Sequence, residues 1–308
     1  MRAAAVALGA AALGAGVSAA ARRLLERRPP GGADVWTRTN HAGDPVSLLG
    51  GLAAGAAVTG IGPLLAPCTP VGPRLALAAT AAGGAATAAG VLDDHGEDLT
   101  GVPTGRAKGL TGHLGALARG EVTTGALKIA VVGAGASAAA LLLPGPRPLI
   151  GRLADAALVA GCANLANLFD LRPGRALKVA GIALAPVALA PVVLGPDAAG
   201  STAPRSTAAA RATDAAAGRA TLAAGALGVI GATLPADLAA RDMLGDTGAN
   251  PLGAIVGVVL AADPSAALRG IALCAVVGLT LASERISFTA VIDSVPVLRA
   301  IDRAGRAA

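Results

Sequence analysis

Apolar stretches recur along the whole chain, separated by short polar segments. They lie at about 3–21, 47–66, 73–92, 123–144, 149–169, 176–194, 219–239, 251–262 and 265–283. Several reach ~20 residues, the length an α-helix needs to cross hydrocarbon. The pattern predicts an all-α, polytopic integral membrane bundle of about nine transmembrane helices, forming one domain over residues 1–308. The eighth stretch, Pro251 to Ala262, is short and must be half-buried or extended into its loop. The first is followed by Arg22, Arg23, Arg27 and Arg28. A cleaved signal carries most of its charge before the apolar core, so a first transmembrane helix is the better reading.

Charge sets the expected sidedness. With the N-terminus outside, the cytoplasmic segments are about 22–46, 93–121, 170–175, 240–250 and 284–308, and they hold fifteen Lys and Arg. The outer connections hold about seven: Arg74, Arg147, Arg152, Arg205, Arg211, Arg219 and Arg269. The positive-inside rule then puts the N-terminus outside and the C-terminus in the cytoplasm, with the protein in the inner (plasma) membrane. The connection 195–218 is rich in Ala, Ser and Thr and reads as a loose outer loop.

Composition agrees with a membrane domain. The chain has 54% hydrophobic and 14% charged residues, against roughly 25% charged in a soluble domain. One Trp, two Phe and no Tyr leave almost nothing for interfacial aromatic anchoring. Abundant Ala and Gly instead favour close helix packing through small-xxx-small faces. The net charge is +6, from 25 Lys and Arg against 19 Asp and Glu. Basic and aromatic residues do not interleave, which excludes nucleic acid as a partner. Anionic headgroups and a nucleotide diphosphate fit the charge better. Cys68, Cys162 and Cys274 show no CxxC or His-paired spacing and read as structural thiols.

Polar residues at the borders of the apolar stretches carry the candidate chemistry. Asp93 and Asp94 close the third stretch, with His95, Glu97 and Asp98 following. Carboxylates near hydrocarbon are costly, and they bind hard cations such as Mg2+ that keep water and phosphate ligands. A solvated loop start is the plain alternative. Arg106, Lys108, Thr111 and His113 follow and could return to phosphates, or supply ordinary cytoplasmic positive charge. Asn164, Asn167 and Asp170 recur at i, i+3 and i+6 within one helix face. They read equally as ligand groups and as interhelical hydrogen-bonding glue. Gly245-Asp246-Thr247-Gly248 reads as a tight turn between spans, able to present its carboxylate to a cation.

Taken in order, these segments resemble a known family. VLDDHGEDLT, RAKGLTGH, NLANLFDLRPGRALK and MLGDTGANPLG look like the membrane transferases that move a sugar phosphate from a UDP-sugar to a polyprenyl phosphate. That family includes phospho-MurNAc-pentapeptide translocase and the UDP-GlcNAc:undecaprenyl-phosphate GlcNAc-1-phosphate transferases. Arg38, Asn40, His41 and the run from Pro45 to Gly51 are similar to its first cytoplasmic loop. The resemblance implies a Mg2+-dependent transferase of cell-envelope glycan synthesis, whose partners are the membrane, a polyprenyl phosphate and a UDP-sugar; a homodimer is the candidate assembly. It implies that Asp93, Asp94 and Asp246 are catalytic, that Asp94 and Asp246 hold the metal, and that Asn164, Asn167 and Asp170 line the nucleotide-sugar side. Lys108 would contact phosphate, and His113 would stand in for a missing second Lys. The chain departs from the family at Leu171, Pro173 and Gly115, and its tail from Glu284 to Arg306 carries no His and no tenth span. A non-catalytic relative that binds a lipid-linked precursor or an envelope partner is therefore the alternative reading. A transporter is disfavoured, because the polar positions gather at one face and not at the midplane.

Overall fold

The computed structural model describes residues 2–39, 43–100, 124–193 and 207–306. Each of the nine apolar stretches is a helix: α1 (Arg2–Arg27), α2 (Leu49–Leu65), α3 (Pro73–Thr100), α4 (Thr124–Leu142), α5 (Leu149–Phe169), α6 (Arg175–Val193), α7 (Thr207–Leu238), α8 (Gly245–Ala261) and α9 (Ala266–Ser283). Two short helices end the chain, α10 (Phe288–Ser294) and α11 (Pro296–Arg303). Among the described residues, seven helices are long and apolar enough to cross a membrane. The protein is an all-α, multi-pass membrane bundle.

The two remaining apolar helices, α2 and α8, have 17 residues each. Both are largely buried, and α8 is the most enclosed helix of the bundle, packed by α2, α3 and α5. A helix shielded from lipid need not match the bilayer thickness, which accounts for the short eighth stretch. Small residues allow the close packing. A Cβ on Gly90 of α3 would run into the Asp246 carbonyl, and one on Gly253 of α8 into the Cys162 carbonyl of α5. At the other extreme α9 lies on the outside of the bundle, with Leu268, Ile271 and Leu281 exposed.

Three expectations about boundaries are corrected. Helix α3 does not stop at Leu92 but runs to Thr100, so Asp93 and Asp94 lie inside it. Gly245-Asp246-Thr247-Gly248 is not a turn between spans but the first turn of α8, entered through Gly245 at a φ of 56°. Helix α7 begins at Thr207, well inside the expected outer loop, and residues 194–206 lie outside the described residues. The physical reason is common to all three. Hydropathy marks where lipid ends, whereas backbone hydrogen bonding continues wherever the helix can be capped or packed.

Consecutive helices run antiparallel, so their ends gather in two clusters. At one end, Arg22 of α1 pairs with Asp242 at 3.0 Å. There too a backbone N–H of the α5–α6 connection, at Gly174, donates to Asp237 of α7. At the opposite end, Asp155 of α5 pairs with Arg147 and, at 3.1 Å, with Arg269. Arg147 also donates to the Ala261 carbonyl at 2.7 Å, and Arg219 pairs with Asp263.

A small hairpin finishes the first end. Strands β1 (Thr37–Thr39) and β2 (Pro45–Ser47) pair antiparallel, with Arg38 opposite Val46. Trp36, just before β1, is buried against the His95 ring with centroids 4.5 Å apart. Ser47 donates its N–H to the Arg241 carbonyl at 3.2 Å and accepts from Met243 at 2.9 Å. The hairpin therefore ties the end of α3 to the segment that leads into α8.

Candidate functional site

The site is built around the N-terminus of α8. The first N–H groups of a helix have no intrahelical partner, and Leu244, at the N-cap, supplies no side-chain acceptor. Asp94 supplies it from α3. One of its oxygens accepts from the Thr247 N–H at 2.9 Å and from the Thr247 hydroxyl at 2.6 Å; the other accepts from the Asp246 N–H at 3.3 Å. A carboxylate at this position also meets the positive end of the helix dipole. Asp94 is thus the interhelical cap of α8, and Gly90, one turn back on α3, leaves the room for it.

Asp93 and Asp246 converge on one cation, the Lys128 ammonium of α4. Lys128 lies 3.1 Å from an Asp93 carboxylate oxygen and also donates to Asp246. The three side chains keep 18%, 34% and 16% of their surface for Lys128, Asp93 and Asp246, so the cluster opens to the outside of the protein. Sequence reasoning passed over Lys128. The signal was present, since it is the one charged residue in the stretch 123–144, and an ionisable residue within a span is a functional candidate.

Asp170 joins the same cluster from the C-terminal end of α5, where its N–H donates to the Asn167 carbonyl at 3.0 Å. Burial pushes its carboxyl well above the ordinary range, and the Asp237 carboxylate adds to the rise, opposed by a hydrogen bond from the Gly245 N–H. Asn167 is half-buried and Asn164 is exposed. At 100° per residue Asn164 sits about 120° around α5 from Asp170, so the structure brings Asp170 to the acidic pair and leaves Asn164 on the outer flank. Lys108 and His113 lie outside the described residues.

The segment between α1 and α2 braces this arrangement. Arg38 donates to the Asp94 carbonyl at 2.7 Å. His95, which follows the acidic pair, does not join it: it is buried under Trp36 with Nε2 3.1 Å from the Val35 carbonyl. Among the described residues no three His, Cys, Asp or Glu side chains form a metal cage. Asp93 and Asp246 nevertheless gather two carboxylates around a single positive charge, a donor set that suits a Mg2+ ion keeping its water and phosphate ligands. No model of a known protein family matches this chain, and no curated protein matches it.

Proposed function

We propose that this protein transfers a sugar-1-phosphate from a UDP-sugar to a polyprenyl phosphate in the membrane. One observation carries the reading. Carboxylates from three separate parts of the chain, Asp93 and Asp94 of α3, Asp170 at the C-cap of α5 and Asp246 of α8, meet at one end of an apolar bundle beside a lysine. That is where a lipid phosphate and a soluble nucleotide would meet.

In the reaction an oxygen of the polyprenyl phosphate attacks the sugar-bearing phosphorus of the UDP-sugar. The bond from that phosphorus to the bridging oxygen breaks, and UMP leaves. Asp246 and Asp93 are the residues that would hold Mg2+. When bound, the ion offsets the charge of the two phosphate groups. Asp94 is a positioning residue on this reading, because the α8 N-terminus occupies its oxygens. Asp170 faces the nucleotide-sugar side, and Lys128 stands where it can contact a phosphate oxygen once a ligand enters. The second reading, a non-catalytic relative that binds a lipid-linked precursor, draws on the same lysine. Lys128 already neutralises Asp93 and Asp246 internally, as a purely structural ion cluster would.

Purified protein supplied with undecaprenyl phosphate, Mg2+ and a panel of UDP-sugars is expected to release UMP, and excess chelator should abolish the release. Ligand binding without UMP release favours the non-catalytic reading. Equal UDP-sugar binding with and without chelator would remove the Asp93–Asp246 metal site.

On the proposed topology nine helices cross or enter the inner membrane, with the site in the cytoplasm. The distribution of arginines supports this. At the far end Arg74 is exposed, while Arg147, Arg152, Arg219 and Arg269 are engaged by carboxylates or main-chain carbonyls. At the site end, Arg23, Arg27, Arg28, Arg285, Arg299 and Arg303 are exposed. Reporter fusions after Asp98, Arg175 and Arg306 should read cytoplasmic, and one near Ser206 external. A cytoplasmic signal at Ser206 would sink the nine-span topology.

A further inference from the structure

The C-terminal helices α10 and α11 are fastened to the bundle by one buried carboxylate. Asp302 of α11 receives Arg175 in a two-point contact, 2.8 Å from Nε and 3.1 Å from Nη2. Arg306 adds a second guanidinium, paired with the same carboxylate at 2.7 Å. Burial works against an ionised Asp302, but the hydrogen bonds and charge of Arg175 and Arg306 outweigh it and hold the carboxyl below its ordinary range. Lys178 of α6 donates to the carbonyls of Ile301, Asp302 and Ala304 at 3.0, 2.8 and 2.7 Å, closing the C-terminal end of α11. Arg306 also donates to the Pro173 carbonyl at 2.9 Å. These contacts fix the rotation of α11 about its own axis.

That rotation has a consequence for the faces of α11. Val297, Leu298 and Ile301 occupy one arc of the helix and are 67%, 42% and 43% exposed. Arg299 and Arg303 occupy the opposite arc and are exposed as well. Asp302, on the flank between them, is the buried residue. An apolar arc facing a basic arc on a short helix is the pattern of a segment lying in a membrane interface. The level of the tail agrees. Phe288 of α10 stacks on Phe169, the last residue of α5, with centroids 4.8 Å apart. Asp302 binds Arg175, the first residue of α6. Both short helices therefore sit level with the ends of two membrane-crossing helices.

We propose that α10 and α11 form an interfacial foot: the Val297–Leu298–Ile301 face enters the bilayer, and Arg299 and Arg303 bind anionic lipid headgroups. Charge complementarity selects this occupant. Asp302 is already paired, so the exposed charge of α11 is wholly positive; the exposed Arg23 and Arg27 of α1 and Arg28 just beyond it add to it at the same end, against one exposed carboxylate on α10, Asp293. The proposal stands apart from the transferase reading, because it rests on the tail and not on the acidic site.

The test uses the full-length protein in lipid nanodiscs, with Cys68→Ser and Cys274→Ser to remove the exposed thiols. Single nitroxide labels are placed through Leu298→Cys, Arg299→Cys, Ile301→Cys and Arg303→Cys. Accessibility to oxygen against a water-soluble nickel reagent reports depth. Labels at 298 and 301 are expected inside the bilayer and labels at 299 and 303 in water. Phosphatidylglycerol in the disc should shift the immersed fraction on the order of tenfold over pure phosphatidylcholine, as two arginines near an anionic surface would, and added salt should reverse the shift. Equal water exposure at all four positions overturns the proposal. Immersion that ignores lipid charge overturns the headgroup assignment, and label–label broadening at 298 would show that a second copy of the chain covers the face instead.

Discussion

Asp155→Asn is expected to destabilise the bundle by about 3–5 kcal/mol, the cost of leaving buried charges without a counter-ion. Asp155 is 2% exposed and stands between two guanidinium groups, Arg147 at 6% and Arg269 at 14%. It joins α5 to the α4–α5 connection and to the start of α9, and through Arg147 it reaches the end of α8 at Ala261. Removing its charge leaves two cations in a poorly hydrated setting. Unfolding in mixed detergent, followed by circular dichroism, measures the loss. The double variant Asp155→Asn with Arg269→Met should recover part of it, since one of the stranded cations is then gone and the effects of residues in contact do not add. A loss below about 1 kcal/mol would mean that solvent or lipid headgroups already screen the triad.

Asp246→Asn should reduce UMP release by about 10²–10³-fold on the transferase reading, the usual loss when one group that stabilises developing charge is removed. The substitution keeps the volume and removes one of the two charges that converge on Lys128. Folding should be little affected, because the side chain is partly exposed. Asp94→Asn is the informative contrast. It weakens the cap of α8, where Thr247 is fully buried, and should cost about 1–2 kcal/mol of stability. Two neighbouring carboxylates thus separate by readout, one through turnover and the other through unfolding. Unchanged turnover in both Asp246→Asn and Asp93→Asn would remove the acidic cluster from the reaction.

The positions of the helices were legible in the hydropathy pattern. All nine apolar stretches are helical, and the termini of α2, α5 and α9 fall within about two residues of the expected borders. Runs of small apolar residues leave the backbone no partner in hydrocarbon except itself, so hydropathy alone places them. Sequence also marked Asp93, Asp94, Asp170 and Asp246 as polar groups at the edge of lipid. Their division of labour was decided by tertiary structure. Asp94 faces the open N-terminus of a helix more than a hundred residues away in the chain, while its neighbour Asp93, turned by 100° on the same helix, faces Lys128 instead. Asn164 shares a motif with Asp170 yet falls on the outer flank. The orientation of the tail follows from the Arg175–Asp302 pair, which no local pattern encodes. Local sequence sets which residues are helical and the angular spacing of their side chains around each helix. Which carboxylate meets which cation depends on how the helices pack, and that is fixed by close approaches such as Gly90 beneath Asp246.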